Sequence, residues 1–341
     1  TVIDNTDGER DIVRNNAGTW QYNSNGTYAL ETWVNGTTNT ELATLAEAME
    51  NALGGYGVES ISYVQNFTSN TADKRDVYVK PDGTKIFFLR YDGSRADVYS
   101  YTMTTPFDVS VMTFDGSFNV GSVGPSTYST AFNISPDGNY FYIFSNSTRN
   151  VYRWNFGTAW DISTLSWSGL AFNATSQVAS VASGIRFKPD GTKMYLADAN
   201  NRVIYQYTLS TAWDNSTASY DSKSFTGFDA SYYPIAYEFD DTGKYLIVSN
   251  SGGLINKYSL STAWDISTAT ATGETVTTTY GIQGIAYGDS GTKLYAVNGS
   301  TTPVYQYSSL GNSINKMDKT QLDAVTDPNH IALGNDLDLA I

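Results

Sequence analysis

The chain has 341 residues, with 20 Lys and Arg against 34 Asp and Glu, a formal net charge of -14, no cysteine and one histidine. This balance disfavours nucleic acid and anionic membranes as partners, because phosphate binding needs clustered Lys and Arg, and the chain has no basic run. The lack of cysteine excludes disulfides and thiolate chemistry, and no apolar stretch reaches transmembrane length.

Residues 1–57 predict a small α+β arm that contains no repeat. Residues 19–22 and 27–30 flank a turn rich in Asn and Gly, which is typical of a β-hairpin. A capping box at Thr38 and Glu41 then predicts an amphipathic helix. The apolar positions of this helix follow helical spacing at Leu42, Leu45, Met49 and Leu53.

Residues 58–311 repeat one motif of about fifty residues, which indicates a repeat architecture. Its most regular feature is a turn glycine, found at Gly83, Gly138, Gly191, Gly243 and Gly291. The first three copies read Pro-Asp-Gly, in which Pro presets φ, Asp closes an Asx turn and Gly takes the positive φ. We therefore interpret Asp82, Asp137 and Asp190 as turn residues, because no second carboxylate stands at metal-ligand spacing.

One complete copy, residues 181–226, predicts four antiparallel strands. Two strands flank the Pro-Asp-Gly turn, a third follows a polar loop over 203–209, and a fourth begins near residue 218. The turn before the fourth strand contains Ala-Trp-Asp in three copies, at Trp160, Trp213 and Trp264. A repeated tryptophan can form a carbohydrate platform, but its fixed place in each copy favours packing between repeats.

The fifth copy stops after its third strand, and the missing fourth strand matches residues 59–68, upstream of the first copy. A ring whose last sheet takes a strand from the other chain end has no open edge. The sequence therefore predicts an all-β fold: a five-bladed β-propeller of four-stranded antiparallel blades over residues 58–311, closed by an N-terminal strand.

Residues 312–341 predict a C-terminal arm that is partly helical and partly extended. Asp318 and Gln321 form a capping box, and this helix must end before Pro328. Apolar residues follow along the arm at Met317, Leu322, Ile331, Leu333 and Leu337. Because neither arm can bury its apolar residues alone, we expect both arms to take part in assembly, including with further copies of the chain.

The ring shows no catalytic pattern. The one histidine, His330, lies outside it, which excludes Ser-His-Asp and His-based metal sites within the ring. We therefore predict no catalytic residue, no metal and no cofactor. The variable loops on one face of the propeller are rich in Tyr, Asn and Arg, a composition that suits contact with sugars or proteins, although soluble loops are polar in any case. The candidate contact residues are Arg90, Arg149, Asn200, Arg202, Tyr232, Tyr233 and Tyr280.

The repeat resembles those of β-propellers in structural proteins of marine tailed bacteriophages. The resemblance rests on Phe-Lys-Pro-Asp-Gly-Thr-Lys-Met-Tyr at 187–195 and on Leu-Ser-Thr-Ala-Trp-Asp at 209–214 and 260–265. It implies a non-enzymatic virion component, such as a tail fibre, tail-tip or head-decorating protein, whose arms bind other virion proteins and whose ring contacts a glycan or protein of the host surface. The alternative is an extracellular bacterial propeller that acts as a binding module, hydrolase or lyase.

Overall fold

The computed structural model describes the backbone of four short strands within residues 2–35, then residue 58 and residues 61–309 except 94, 126–127, 229–231 and 300–301. The chain divides into two compact units, residues 1–55 with 311–341, and residues 56–310. The predicted helix of the N-terminal arm and the whole C-terminal arm lie outside the described residues. These include all of the proposed assembly positions: Leu42, Leu45, Met49, Leu53, Met317, Leu322, Ile331, Leu333 and Leu337.

The first unit contains a four-stranded antiparallel sheet whose strands follow chain order. Its strands are β1 (Val2–Ile3), β2 (Ile12–Arg14), β3 (Trp20–Asn23) and β4 (Trp33–Asn35). The first strand of the predicted hairpin corresponds to β3, which pairs with β2 and with β4, whereas its predicted second strand, residues 27–30, lies outside the described residues.

Five four-stranded antiparallel sheets make up the described part of the second unit. Blade 1 contains β6 (Lys74–Val79), β7 (Lys85–Tyr91), β8 (Ala96–Met103) and β9 (Met112–Asn119). Blade 2 contains β10 (Ser129–Ile134), β11 (Tyr140–Ser145), β12 (Asn150–Phe156) and β13 (Leu165–Asn173). Blade 3 contains β14 (Ala182–Phe187), β15 (Lys193–Asp198), β16 (Val203–Leu209) and β17 (Ala218–Phe225). Blade 4 contains β18 (Ala236–Phe239), β19 (Tyr245–Ser249), β20 (Leu254–Leu260) and β21 (Ala269–Thr277). Blade 5 contains β22 (Gly284–Gly288), β23 (Lys293–Val297), β24 (Pro303–Ser309) and β5 (Ile61–Thr68).

The ring closes through β5, the strand that precedes all the others of the propeller. It pairs antiparallel with β24, with Phe67 opposite Val304 and Tyr63 opposite Tyr307. The first strand of each blade contacts the first strands of both neighbouring blades, so these five strands surround the axis. The five-bladed propeller and its N-terminal closing strand are confirmed.

The Pro-Asp-Gly turns have the geometry that their residues require. In blade 3, Asp190 Oδ1 accepts a hydrogen bond from the Thr192 backbone N–H at 2.9 Å, and Gly191 has φ +74°. A Cβ at Gly191 would lie 2.4 Å from Cε2 of Trp213, so this position needs glycine both for its φ and for its contact. Asp82 and Asp137 accept equivalent bonds from the backbone of residues 84 and 139.

The repeated tryptophans pack between blades. The Trp213 backbone N–H donates to Gly191 of its own blade at 3.0 Å, and its carbonyl accepts a hydrogen bond from the Tyr142 hydroxyl of the preceding blade. Trp264 accepts in the same way from Tyr195, at 2.6 Å. Trp160 stacks on Tyr78 of blade 1 with ring centroids 6.2 Å apart. Each of these turns therefore links its blade to the one before it.

Candidate functional site

The propeller has two chemically different faces. The Pro-Asp-Gly and Ala-Trp-Asp turns lie at one end of the blades, which we call the turn face. The loops between second and third strands, and those between blades, meet at the other end, which we call the loop face. Contact across these loops is direct: Arg149 Nη2 donates to the Ser180 carbonyl at 2.7 Å, and the Tyr91 and Tyr128 rings lie 4.5 Å apart.

Tyr232, one of the predicted contact residues, is a core residue, and its assignment to the binding surface is wrong. Its side chain is 2% exposed, and its hydroxyl donates to the carbonyls of Val248 and Leu254. Burial raises the pKa of this hydroxyl well above its ordinary value. Tyr232 is the first of two adjacent tyrosines in this loop. Its inward orientation is stabilised because the hydroxyl then reaches both carbonyls.

The next residue, Tyr233, is 43% exposed on the loop face. The Arg202 guanidinium lies over its ring, 5.5 Å from the centroid, so the loop between blades 3 and 4 meets a loop of blade 3. Tyr280 is 42% exposed and stacks on Tyr305 with centroids 4.2 Å apart. Two aromatic faces are therefore held in place by neighbouring residues and remain accessible to a ligand.

Two of the predicted arginines stand in strained backbone. Arg149 and Arg202 precede the third strands of blades 2 and 3 with φ of 55° and 54°. At the equivalent place in blade 4 stands Gly253, with φ 86°. A left-handed conformation costs a side-chain-bearing residue about 1–2 kcal/mol, which glycine avoids. Blades 2 and 3 therefore keep an arginine where blade 4 satisfies the same turn with glycine.

The other two predicted residues are held by neighbours. Arg90 forms ion pairs with Asp92 at 2.8 Å and with Asp97 at 3.0 Å, so its charge is neutralised locally. Asn200 is exposed and donates to the Ser180 hydroxyl at 3.0 Å. All of the predicted contact residues except Tyr232 thus lie accessible or half-buried on the loop face.

Apart from buried Lys74 and from Arg153, which donates to the Trp213 carbonyl, arginines lie mainly on the loop face and lysines mainly on the turn face. The loop face carries Arg75, Arg90, Arg95, Arg149 and Arg202. Lysines flank the first turn of blades 1, 3, 4 and 5, at Lys80, Lys85, Lys188, Lys193, Lys244 and Lys293. Arginine presents a planar donor fork that matches carboxylates and phosphates, whereas lysine is a point charge. The loop face is therefore better suited than the turn face to recognise an anionic group.

Arg75, which the sequence patterns did not single out, stands at the loop-face end of the innermost strand of blade 1. Its Nε is buried and has no hydrogen-bond partner. A Cβ at Gly299 would lie 3.7 Å from Nη1 of Arg75 and 3.2 Å from Cγ of Gln283, so the guanidinium reaches toward blade 5. Within the described residues, no carboxylate forms an ion pair with Arg75, Arg149 or Arg202.

The axis of the ring is closed by Arg186, whose side chain is 3% exposed. Its Nη1 lies 3.2 Å from Asp76 of blade 1, and its Nε lies 2.7 Å from Glu238 of blade 4. It also donates to the backbone carbonyls of Phe132 in blade 2 at 3.4 Å and Ile285 in blade 5 at 2.8 Å. Because Arg186 itself belongs to blade 3, one guanidinium joins the innermost strands of all five blades.

Burial governs the protonation of this group. It raises the pKa of Asp76 and of Glu238 above the usual carboxyl range, and the adjacent Arg186 cation opposes the shift. These carboxylates are thus satisfied by ion pairing within the core. They hold the ring together and do not face substrate-accessible space, apart from Glu238, whose side chain is 23% exposed.

On the turn face, the axis opens into a cavity of about 270 Å³. Glu238, Asp241 and Asp289 line it together with Trp213 and Trp264. A cavity with this carboxylate content disfavours anions, in contrast to the loop face. Its lining also includes the turn prolines Pro81, Pro136 and Pro189, so repeat positions form much of this cavity, although the sequence alone had indicated only turn and packing roles for them.

Among the described residues, no group of three or more His, Asp or Glu is placed to share a metal ion. No helix in the described part of the chain has the length and apolar character needed to cross a membrane. The acidic turn residues are each engaged by their own backbone, as with Asp240, which accepts from the Tyr245 N–H at 2.7 Å.

The sequence matches no known protein family and no curated protein. Among solved structures it is similar to the RRP9 WD40 repeats, with a TM-score of 0.47 and 10% identity over 73% of this chain and 99% of that chain. A functionally unknown protein from Desulfotomaculum acetoxidans gives a TM-score of 0.42 and 12% identity over 67% of this chain and 63% of that one. A protein from Bacteroides uniformis, named as a candidate 6-phosphogluconolactonase, gives 0.41 and 16% identity over 66% and 64%. These scores assign no function to the chain.

Proposed function

We propose that the protein is a non-enzymatic structural protein of a tailed-bacteriophage virion, and that its propeller binds the host surface through the loop face. The virion assignment rests on the resemblance of the repeats. The binding assignment rests on Arg149 and Arg202, which keep left-handed backbone where Gly253 serves the equivalent turn. Strained residues persist where the side chain has a use that offsets the strain: Arg149 donates to the Ser147 and Ser180 carbonyls, and for Arg202, which lies over the exposed Tyr233 ring, we propose that the use is ligand contact.

A binding role also accounts for the exposed aromatic faces beside these arginines. Tyr233 is supported by Arg202, and Tyr280 is supported by Tyr305, so neither side chain loses much freedom when a ligand covers it. Rigid aromatic groups next to adaptable polar groups are typical of recognition surfaces. A catalytic role has less support, because the buried carboxylates of the axis are held by Arg186.

In this proposal, the arms attach the protein to the particle as a tail fibre, tail tip or head decoration. Ile61 stands opposite Ser309, so both arms join the ring at blade 5. We expect residues 1–57 and 312–341 to bind other virion proteins and further copies of the chain. Protein trimmed to residues 58–311 should remain folded and monomeric but fail to join particles. Normal incorporation of the trimmed ring would contradict this anchoring role.

Binding to cells of the host strain tests the attachment role. Arg202→Gly and Tyr233→Ala should each weaken the binding of fluorescently labelled protein by roughly tenfold, since each removes one anchoring group. Arg202→Gly should not lower the melting temperature, because glycine relieves the left-handed strain. The matched control is Tyr63→Ala, a tyrosine that is 51% exposed on the outer strand of blade 5. Unchanged binding in both loop-face variants, or an equal loss in the control, would refute the proposal.

The virion role has its own test. Gold-labelled antibodies against the ring should decorate one defined position on tailed particles in electron micrographs. Particles that carry no label, with the protein recovered only from the medium, would refute a virion role and leave the binding role to be judged by the cell assay.

A further inference from the structure

We infer that Arg75 is the anion-recognition residue of the loop face and that its ligand is the carboxylate of an acidic polysaccharide. This inference rests on the proposed function, because it names the ligand class of the same face. Arg75 stands at the axial end of that face, with a buried Nε that has no hydrogen-bond partner. The side chain as a whole is half-buried, so part of the guanidinium lies at the surface, where an arginine without a carboxylate partner can bind an anion from outside.

The surroundings of Arg75 favour an anion from outside over an internal partner. The other arginine near blade 1's loop, Arg95, is paired with Asp97 at 3.0 Å, and Arg90 shares that carboxylate. Lys74, next to Arg75, is fully buried and donates to the Thr71 carbonyl at 2.7 Å, and burial lowers its pKa to about 8. Asp73 interacts with Lys74, and no carboxylate among the described residues forms an ion pair with Arg75.

The equivalent residues of other blades show what Arg75 replaces. In blade 2, Thr130 donates to the Ala182 carbonyl of blade 3, and in blade 3, Ser183 donates to the Pro234 carbonyl of blade 4 at 2.9 Å. These hydroxyls join consecutive blades. Arg75 stands at the same place relative to the first turn but makes no such bond, so its side chain is not needed to join blades 1 and 2.

A polymer suits this face better than a single small anion. Arg149 and Arg202 also have no carboxylate partner among the described residues, and they lie on the loops of two further blades. Tyr233, beside Arg202, and Tyr280 are exposed and offer flat apolar surfaces on the same face. A chain of acidic sugars presents both anionic groups and apolar ring faces. A nucleic acid is less suited, because its closely spaced phosphates need the clustered Lys and Arg that this chain lacks.

Affinity measurements with the full-length protein test this inference. The probes are an oligouronate, which carries carboxylates, dextran sulfate, neutral dextran and single-stranded DNA, each immobilised for biolayer interferometry. We expect the oligouronate to bind, neutral dextran not to bind, and affinity to fall as NaCl is raised. Arg75→Gln should weaken oligouronate binding roughly tenfold or more, since it removes a charge-assisted paired contact. Arg75→Lys should lose at least severalfold, because lysine keeps the charge but not the planar fork.

Arg95→Gln is the matched control, because it makes the same charge change on the same face at a residue already paired with Asp97. Its affinity should stay within about threefold of the parent. If Arg75→Gln lowers the melting temperature, Arg75→Lys decides the question, since it keeps the cation and the aliphatic stem. Three outcomes would each overturn the inference. They are equal losses of oligouronate affinity in Arg75→Gln and Arg95→Gln, tighter binding of DNA or dextran sulfate than of oligouronate, and unchanged affinity in Arg75→Lys. If no polymer binds while Arg202→Gly still weakens cell binding, the inference fails and the proposed function stands. If cell binding is also unaffected, both fail.

Discussion

Replacement of Arg186 by methionine should strongly destabilise the ring. The variant keeps most of the aliphatic volume but leaves Asp76 and Glu238 without their cation and removes donors from the carbonyls of Phe132 and Ile285. Breaking a buried ion pair by removing one partner costs about 3–5 kcal/mol. At about 2–4 °C per kcal/mol for a domain of this size, the melting temperature should fall by about 6–20 °C.

Differential scanning calorimetry and urea unfolding measure this loss, and Arg153→Met serves as the control. Arg153 donates to the Trp213 carbonyl at 3.0 Å and lies over the Tyr140 ring, but no carboxylate depends on it. Its replacement should cost only about 1–2 kcal/mol. The triple variant Arg186→Met, Asp76→Asn, Glu238→Gln should recover part of the loss, because no ionised group then remains buried and unpaired.

The Arg186→Met loss should also depend on pH. Burial raises the folded-state pKa of both carboxyls, and without the arginine only backbone hydrogen bonds, from Phe132 and Val77 to Asp76 and from Phe239 to Glu238, oppose that shift. The penalty for burying charge is therefore present above the folded pKa and disappears as the carboxyls take up protons. The gap between the variant and the parent should narrow as pH falls from 8 to 5. A gap no larger than that of Arg153→Met, or one that widens on acidification, would refute the role assigned to the axial ion pairs.

Three further outcomes are expected. Gly191→Ala should lower the free energy of unfolding in urea by about 2–4 kcal/mol, because the new Cβ would meet a tryptophan ring at 2.4 Å. The control Gly169→Ala, with φ +80° and open space around it, should lower it by only about 1 kcal/mol. Equal losses would contradict the packing argument. Deletion of residues 1–68 should abolish the cooperative melting transition because it removes the closing strand. Deletion of residues 1–55 should leave that transition in place. A folded fragment of residues 69–341 would show that the ring does not need the closing strand. Asp82 is partly desolvated, but hydrogen bonds from neighbouring side chains lower its pKa to about 2. The stability that Asp82 contributes should therefore be fully present above the unfolded-state pKa near 4 and lost as pH falls toward 2. Circular dichroism during acid titration measures this loss, and constant stability over the interval would contradict the prediction. Other carboxyls with a lowered pKa act in the same direction: Asp108, Asp115, Asp137, Asp190 and Asp265.

The blade count and the closing strand could be predicted because local turn chemistry repeats. Gly191 and its equivalents need positive φ, and this requirement is visible in any one copy. The fifth copy of the repeat lacks a sequence match to the fourth strand, and this gap identified residues 59–68, which contain β5, as the replacement. These features depend on residues close together in sequence, where propensity and spacing are informative.

The axial group could not be predicted in this way. Asp76, Arg186 and Glu238 occur once each, in three different blades, and only the closed ring brings them together. A usable signal was present, because charged residues interrupt inner strands that are otherwise apolar. The prediction that Tyr232 belongs to the binding surface was wrong for a related reason. The sequence of a polar loop with two adjacent tyrosines does not show which of the two reaches the carbonyls of Val248 and Leu254.

A crystal structure of the full-length protein with an oligouronate tests the central claim most directly, because it shows which face binds the ligand. We expect density for the sugar chain on the loop face, with one carboxylate within hydrogen-bond distance of the Arg75 guanidinium and a ring plane against Tyr233 or Tyr280. Density in the turn-face cavity beside Glu238, with an empty loop face, would contradict the claim.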